Sequence, residues 1–534
     1  MENQRIFLAI FLSLAILIGY QYFFVPPQPP APEVAATATA PAQPPAALST
    51  AVAPVQPVAQ GRDIQVSTSL YSAVISETGG MVKSFRLKQF REALAHDSGD
   101  KELVKTTLQE GLPLNFSWGV EPGAIPPVVY QAGAEQVRVE HGGQAELTMR
   151  GRLPSGVEVV RILRMTDQQY LLELTVQVIN ATDQPLSGAP YLTLGNRPFA
   201  KGNTAAFHGP AALVDGALSE IKPDDLKKGS KSLTGQVGWT GYEDNYFLAA
   251  IVPSAEGHHT ANFSLSGDEV VHTVVAGPID QLQPGQQHQY KYVVYMGPKH
   301  LDTLKAAGHE LARSVDFGWF DLMAKPTLYL LNFLYRYLGN YGVAIILVTV
   351  LIKLAFWPIA QKGMESMRTM QKLQPKMAKL REKYKDDKVR QQQEMMKLYQ
   401  TYKVNPVGGC LPMVLQIPVF FALYKVLLMT IELRHAPFLW WITDLSAPDR
   451  LFIGFDIPFL GGIPVLTLLM GASMFLQQKM TPSTGDPTQQ KVMMFMPLIF
   501  TFMFLNFASG LVLYWFVNNL LSIGQQYLVN SKAD

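Results

Sequence analysis

The chain has 534 residues, a formal net charge of +2, 48% hydrophobic residues and 16% charged residues. This length predicts several domains, and a net charge near zero excludes a global attraction to nucleic acid, so we expect no DNA partner. The charged fraction is low beside the roughly 25% of soluble proteins, which favours a membrane protein. The single cysteine, Cys410, excludes an intramolecular disulfide.

The first segment is an apolar run over residues 6–25, which at roughly 20 residues is long enough to cross a bilayer. A cleaved signal peptide is the alternative, but it has an apolar region of about 7–15 residues with a small-residue cleavage site close behind. Here Pro26 and Pro27 follow directly. We therefore predict an uncleaved transmembrane anchor over residues 1–25 and an extended Pro/Ala-rich tether over residues 26–60.

Residues 61–310 form the next unit, in which apolar and polar residues alternate and Gly-rich turn signals recur. The clearest alternating runs are residues 136–140, 170–178 and 289–295. This pattern predicts a large antiparallel β-sandwich domain. We expect His258 and His259, the only histidine pair, to be solvated surface residues. The unit has no metal-ligand spacing and no catalytic constellation, so we expect no cofactor.

Residues 311–340 are rich in aromatic and apolar side chains but also carry charges, and Pro326 should interrupt them. Such an interrupted, aromatic-rich pattern predicts an amphipathic helix at the membrane interface. A helix packed on the β domain is the alternative.

Five more apolar segments follow, at roughly residues 341–360, 408–430, 463–478, 492–507 and 509–528. Residues 361–405 carry twelve Lys and Arg against five Asp and Glu, which predicts that this loop is cytoplasmic. Counting spans outward places both termini in the cytoplasm and the β domain outside. The predicted fold is a multi-pass α-helical membrane protein with six transmembrane helices, five of them forming a core over residues 341–534, plus the extracytoplasmic β-sandwich.

The basic loop has apolar residues at three- and four-residue steps on two segments, which predicts a cytoplasmic helical hairpin over residues 361–405. We expect its packing to be methionine-rich and to include Met367, Met370, Met377, Met395 and Tyr399. Methionine stripes more often form a core than a ligand site. A two-helix hairpin has little core to fill, however, so part of this surface could contact a partner.

Sequence signatures of catalysis are missing. The chain has no G-x-x-x-x-G-K-[ST] nucleotide-binding loop and no H-E-x-x-H metalloprotease motif. Ser473 follows Gly471-Ala472 in an apolar segment, but no histidine accompanies it there as a general base. We therefore expect a protein that is not an enzyme.

The most informative residue is Lys353, about twelve residues into the segment at 341–360. A lysine at the centre of a membrane helix costs about 2.5–3.5 kcal/mol, so it usually faces a wet cavity or a partner. Snorkelling to the cytoplasmic interface is the alternative. No membrane carboxylate is available. Thr349 lies one turn before Lys353 on the same helix face, and amides and hydroxyls are frequent in the neighbouring segments, at Gln416, Gln477, Gln478, Asn506, Ser509, Asn518, Asn519, Ser522, Gln525 and Gln526. This composition favours a hydrated, positively charged hollow that is open to the cytoplasm.

The same region resembles the YidC/Oxa-type membrane insertases in their Gram-negative form. The matching motifs are NPVGGCLP at residues 405–412, QIPVFFALY at 416–424, ELRHAPF at 432–438, DLS at 444–446, QQKVMMFMP at 489–497 and SGLVLYW at 509–515. The order of anchor, β domain, interfacial helix, basic hairpin and five-helix core is also similar, so the resemblance covers essentially the whole chain.

The resemblance implies a membrane protein insertase in the bacterial inner membrane, with the large domain in the periplasm. A basic residue, usually arginine and here Lys353, would draw the polar part of a client into a hydrophilic groove. The implied groove residues are Lys353, Thr349, Gln416, Ile417, Tyr514, Trp515 and Asn518. The implied partners are nascent membrane proteins, the Sec translocon, the ribosome through the hairpin, and membrane lipids.

Two other classes of function remain open to the same residues. A secondary transporter would favour internal repeats with broken helices that face each other, and we see no convincing repeat. A scaffold for a secretion complex would need no buried charge, and Lys353 argues against it.

Overall fold

A computed structural model describes residues 61–531, which belong to a single unit of the structure. Within residues 61–531 the description leaves out residues 96, 121–127, 200–206, 254–256, 268, 386, 403–410, 456, 459 and 481–486. The predicted anchor at residues 1–25 and tether at 26–60 lie outside the described residues.

The first of three β-sheets contains, in spatial order, β4 (Asp100–Glu102), β3 (Val82–Arg91), β2 (Tyr71–Ser76), β1 (Asp63–Ser67) and β7 (Gln136–Arg138). The second contains β13 (Ala217–Glu220), β12 (Gly209–Val214), β15 (Val237–Glu243), β16 (Phe247–Pro253), β20 (Gln287–Pro298), β10 (Leu171–Asn180), β9 (Val157–Thr166), β8 (Gln144–Arg152) and β6 (Gln131–Ala132). The third contains β14 (Lys231–Gly235), β17 (His259–Ser266), β18 (Val270–Ala276), β11 (Leu186–Asn196) and β19 (Asp280–Leu282), with β5 (Asn115–Gly119) also paired to β11.

The sequence alternation maps onto these sheets. Along β10, buried residues alternate with more exposed ones, and this strand pairs antiparallel with β20 through Thr175 and Lys291. The described strand pairs are antiparallel except for β1 with β7, which run parallel. All three sheets contribute to one hydrophobic core. The predicted domain rich in antiparallel β-sheet is therefore confirmed, with one parallel pair that the alternation did not indicate.

The histidine pair departs from the expectation. His258 is exposed, but His259 begins β17 and is only 6% exposed. Adjacent strand residues point to opposite faces, so one member of the pair must turn toward the interior. Burial lowers the pKa of His259, and the expectation that both side chains are solvated was wrong for this one.

One short helix, α1 (Pro223–Leu226), lies within the β domain between β13 and β14. The β domain is connected to the longer helices by α2 (Leu301–Ala307) and two 3₁₀ turns at Leu311–Ser314 and Gly318–Phe320. The longer helices are α3 (Asp321–Leu338), α4 (Tyr341–Lys383), α5 (Lys388–Thr401), α6 (Leu411–Met429), α7 (Val465–Met480), α8 (Pro487–Met503) and α9 (Ser509–Ser531), with further 3₁₀ turns at Ile431–Leu433 and Phe504–Asn506.

Helix α3 continues through Pro326, so the expected interruption is absent. It buries Ala324, Leu328 and Leu331 and packs mainly against α4 and α6. Near its two ends, Trp319 is 93% exposed and Tyr337 is 77% exposed. One face of the segment is therefore fixed to the other helices, while large aromatic side chains remain uncovered.

Helix α4 joins two elements that the sequence suggested separately, the apolar segment and the first arm of the hairpin. It runs for 43 residues through Pro358 and Pro375, or about 65 Å at 1.5 Å per residue. The side chain of Asn340 caps its first turn by accepting a hydrogen bond from Val343 N at 3.1 Å. In the described part of the chain, α4 alone meets both the length and the apolarity required of a membrane span, and residues Gln416–Met429 and Met493–Asn506 form shorter apolar helical stretches.

Candidate functional site: a lysine between three helices

Lys353 lies twelve residues after the start of α4, about 18 Å along the helix. Its side chain is half-buried, and Nζ donates hydrogen bonds to Ser522 Oγ at 2.7 Å and to Asn518 Oδ1 at 3.4 Å, both on α9. Gln416 Nε2 of α6 donates to the same Asn518 oxygen at 2.9 Å. The fold thus brings Lys353, Gln416 and Asn518 together from three helices.

The partners of the ammonium group are neutral. Among the described residues, Lys353 Nζ has hydrogen-bond partners on Ser522 and Asn518 and forms no ion pair with a carboxylate. A hydroxyl and an amide oxygen can accept its hydrogen bonds but cannot cancel its charge. The site is therefore able to attract an additional anionic group.

The other implied groove residues occupy different environments. Ile417 is 47% exposed, next to Gln416 on α6. Thr349 is 2% exposed, and its hydroxyl donates to Ile345 O in the same helix at 2.7 Å. Tyr514 is also 2% exposed. Contact of Thr349 or Tyr514 with a client would require the helices around them to separate, and it stays a prediction.

Trp515 is half-buried in a cluster of aromatic rings where α6, α8 and α9 meet. Its ring centroid lies 4.7 Å from that of Phe420 in an edge-on arrangement and 5.2 Å from that of Phe504. This aromatic cluster forms an apolar neighbour to the polar site around Lys353.

Ser522 contacts the ammonium group most closely, but sequence reasoning named it only as one of several polar residues near Lys353. Its spacing is a further signal, because it lies four residues after Asn518 and so on the same face of a helix. Contacts between α4 and α9 continue toward the helical hairpin, where Gln525 Nε2 donates to Trp357 O at 3.3 Å and Arg368 Nη1 donates to Val529 O at 3.2 Å.

The hairpin is formed by the end of α4 and by α5, with Asp387 capping α5 through the N–H of Arg390 at 3.0 Å. Its small core contains the predicted residues Met370 and Met377, which pack with Leu373 against Met395, Leu398 and Tyr399. The Tyr399 hydroxyl lies 3.9 Å from Met377 Sδ. Met367 is half-buried outside this cluster.

The β domain contacts the helical part through the turn after β15 and the segment that follows α6. Asn245 Nδ2 donates to Leu428 O at 3.3 Å, and Arg434 Nη2 donates to Arg91 O at 2.8 Å. Glu432 accepts from Asn332 of α3 at 3.2 Å and lies 3.4 Å from His300 Nε2. Polar contacts therefore join the β domain, α3 and the helical part.

Known proteins match nearly the whole chain. A family model described as "60Kd inner membrane protein" matches residues 333–534, and one described as "YidC periplasmic domain" matches residues 63–330. A protein of Syntrophobacter fumaroxidans named membrane protein insertase YidC is 42% identical over 556 residues, which cover 99% of this chain and 100% of that protein. A protein of the same name from Geobacter sulfurreducens is 41% identical over 540 residues, which cover 99% of this chain and 98% of that protein.

Solved structures match at lower identity. A crystal structure described as an active YidC insertase with the first transmembrane domain resolved has a TM-score of 0.37 and 18% identity, covering 88% of this chain and 95% of that chain. A galactose mutarotase-like protein from Lactobacillus casei has a TM-score of 0.32 and 13% identity, covering 44% of this chain and 99% of that chain.

Proposed function

The chain belongs to the YidC family of membrane protein insertases of the inner membrane, and on that premise we propose that Lys353 holds the polar flank of a client during its transfer. The observation that carries the proposal is the half-buried ammonium group, whose partners among the described residues, Ser522 and Asn518, are both neutral. Moving a carboxylate into a low-dielectric region is costly, and a nearby opposite charge offsets part of that cost. The client's apolar segment then moves along α6 and α9 into lipid.

The proposal includes six transmembrane spans. They are the anchor at residues 1–25, the first half of α4, and helices α6, α7, α8 and α9, with α3 at the outer interface. Both termini and the hairpin at residues 361–405 then lie in the cytoplasm. The excess of basic residues in the hairpin supports this orientation, since cytoplasmic loops are enriched in Lys and Arg.

Cysteine labelling tests this orientation. With Cys410 replaced by serine, cysteines at Ser187 and Thr443 should react with a membrane-impermeant thiol reagent in intact spheroplasts, and one at Lys385 should not. All three side chains are exposed. A difference in labelling between the three cysteines would therefore report the side of the membrane on which each one lies, and not its burial in the protein. Thr443 is a better position for a cysteine than the nearby Ser446, because the hydroxyl and the N–H of Ser446 both donate to Asp444. Labelling at Lys385 before lysis would contradict the orientation.

We extend the proposal to four kinds of partner: nascent membrane proteins, the ribosome, the Sec translocon and membrane lipids. Basic side chains of the hairpin suit contact with ribosomal RNA or with acidic lipid head groups. The insertase would act alone on simple clients and with the Sec translocon on others.

The β domain is proposed to be an accessory to insertion. Deleting residues 61–298, while keeping α2 and α3, should leave insertion of simple clients largely intact. The deletion removes the backbone carbonyls that accept hydrogen bonds from the half-buried Arg434 and the Asn245 amide that donates to Leu428 O. In the proposed orientation these contacts lie on the outer side of the membrane, where water can replace the lost partners. Insertion would be measured by protease protection of a client, normalised to the amount of insertase in the membrane. A deletion variant that accumulates normally but inserts nothing would make the domain part of the mechanism.

A further inference from the structure

We infer that Ser522 is a positioning residue that holds the Lys353 ammonium group beside α9, where a client's carboxylate can reach it. The inference rests on the proposed function of Lys353 and adds the group that makes a lysine effective at this position. The Nζ to Oγ distance of 2.7 Å is the shortest polar contact of the ammonium group, and Ser522 is only 6% exposed.

The hydrogen bonds of Ser522 have a defined direction. Its own hydroxyl proton points along the helix, because Oγ donates to Asn518 O at 2.7 Å. The oxygen lone pairs are therefore free to accept from the ammonium group, and a lysine has no lone pair to offer in return. Ser522 thus acts on Lys353 solely as an acceptor.

Asn518 is the weaker of the two partners. Its side-chain oxygen is 3.4 Å from Lys353 Nζ but 2.9 Å from Gln416 Nε2, so its hydrogen bond with the glutamine amide is the shorter of the two. In the part of the chain that the structure describes, the ammonium group directs two N–H groups to α9, and its third N–H remains for a client's carboxylate. Ser522 therefore determines most of the direction in which Lys353 points.

A lysine needs this support more than an arginine does. Its side chain is a flexible four-carbon stem with a single charged point, whereas an arginine presents a planar fork of five donors. Without an acceptor at Ser522, the stem can extend toward the cytoplasmic interface and carry the charge away from the site.

Ser522 is itself held in register with α4. Two further contacts join α9 to α4, three and seven residues after Ser522: Gln525 donates to Trp357 O, and Val529 O accepts from Arg368. Asn518, Ser522, Gln525 and Val529 are spaced by four, three and four residues, which keeps them on one face of α9. Hydrogen bonds therefore hold α9 against α4 on the cytoplasmic side of Lys353.

The test is Ser522→Ala in the full chain, assayed with one client that carries zero, one or two acidic residues in its exported segment. We expect a loss of insertion that grows with each acidic residue and reaches about threefold to tenfold for two, as for the loss of a typical intramolecular hydrogen bond. The matched control is Ser473→Ala. Ser473 is another 6% exposed serine of the helical core, but its partner is Asn519.

The outcomes separate the inference from the function beneath it. Equal losses for all three clients, or the same charge-dependent loss in Ser473→Ala, would make Ser522 a packing residue and overturn the inference. Wild-type insertion by Ser522→Ala, in an assay where Lys353→Ala shows a charge-dependent defect, would overturn the inference and leave the proposed function standing. If Lys353→Ala also inserts all three clients like the wild type, the proposed function fails and the inference fails with it.

Discussion

Replacing Lys353 with alanine should lower insertion of a client by about tenfold for each acidic residue in its exported segment. The expected size follows from the cost of a carboxylate at the centre of a membrane, about 2.5–3.5 kcal/mol, of which a nearby cation would offset about half. Insertion of clients with uncharged exported segments should fall much less. The measurement is protease protection of one client with zero, one or two acidic residues, inserted by the wild type and by the Lys353→Ala variant.

Three further substitutions separate the effect of the charge at position 353 from the effect of the side chain that carries it. Lys353→Arg keeps the charge and should retain function, while Lys353→Glu reverses it and should fail most severely with acidic clients. If Lys353 were only an interface anchor, Lys353→Leu would be tolerated or stabilising, because it removes a polar group from the membrane. Equal insertion by the wild type and Lys353→Ala across the client series would contradict the proposed mechanism.

Neutralising four lysines of the hairpin should weaken ribosome binding by about tenfold or more at physiological salt. Lys372, Lys376, Lys379 and Lys383 recur at steps of four, three and four residues along α4 and are all exposed. They lie away from the face that buries Met370 and Met377. Lys376 also donates to the Tyr402 hydroxyl just after α5, and because a glutamine amide can donate to the same hydroxyl, four glutamines should leave the hairpin folded. Each lysine that contacts a phosphate contributes about 0.7–0.9 to the slope of log affinity against log salt, and this slope should fall by about three.

The measurement is co-sedimentation of ribosomes with the purified insertase across a salt series. A matched variant with Lys222, Lys227, Lys228 and Lys231 changed to glutamine removes the same charge from exposed positions of the β domain and should bind ribosomes like the wild type. Unchanged affinity and slope in the hairpin variant would leave the hairpin a structural role only.

Several features were determined by the sequence alone, because they depend on local periodicity and composition. Alternation of apolar and polar residues predicts strands such as β10, and apolar residues at three- and four-residue steps predict the hairpin packing of Met370 and Met377. Lys353 is identified as a candidate site residue because it is an isolated lysine in an apolar segment that has no carboxylate. None of these signals requires knowledge of which elements are neighbours in space.

Tertiary structure decided the features that depend on which faces meet. Contacts between distant segments determine three of them: the burial of His259, the parallel pairing of β1 with β7, and the burial of Thr349. Such contacts also distinguish Ser522, which in the sequence is one of several polar residues in its segment. Only the rotation of α9 against α4 brings its hydroxyl to 2.7 Å from Lys353 Nζ, because helix packing, and not local propensity, determines which side chain faces the charge.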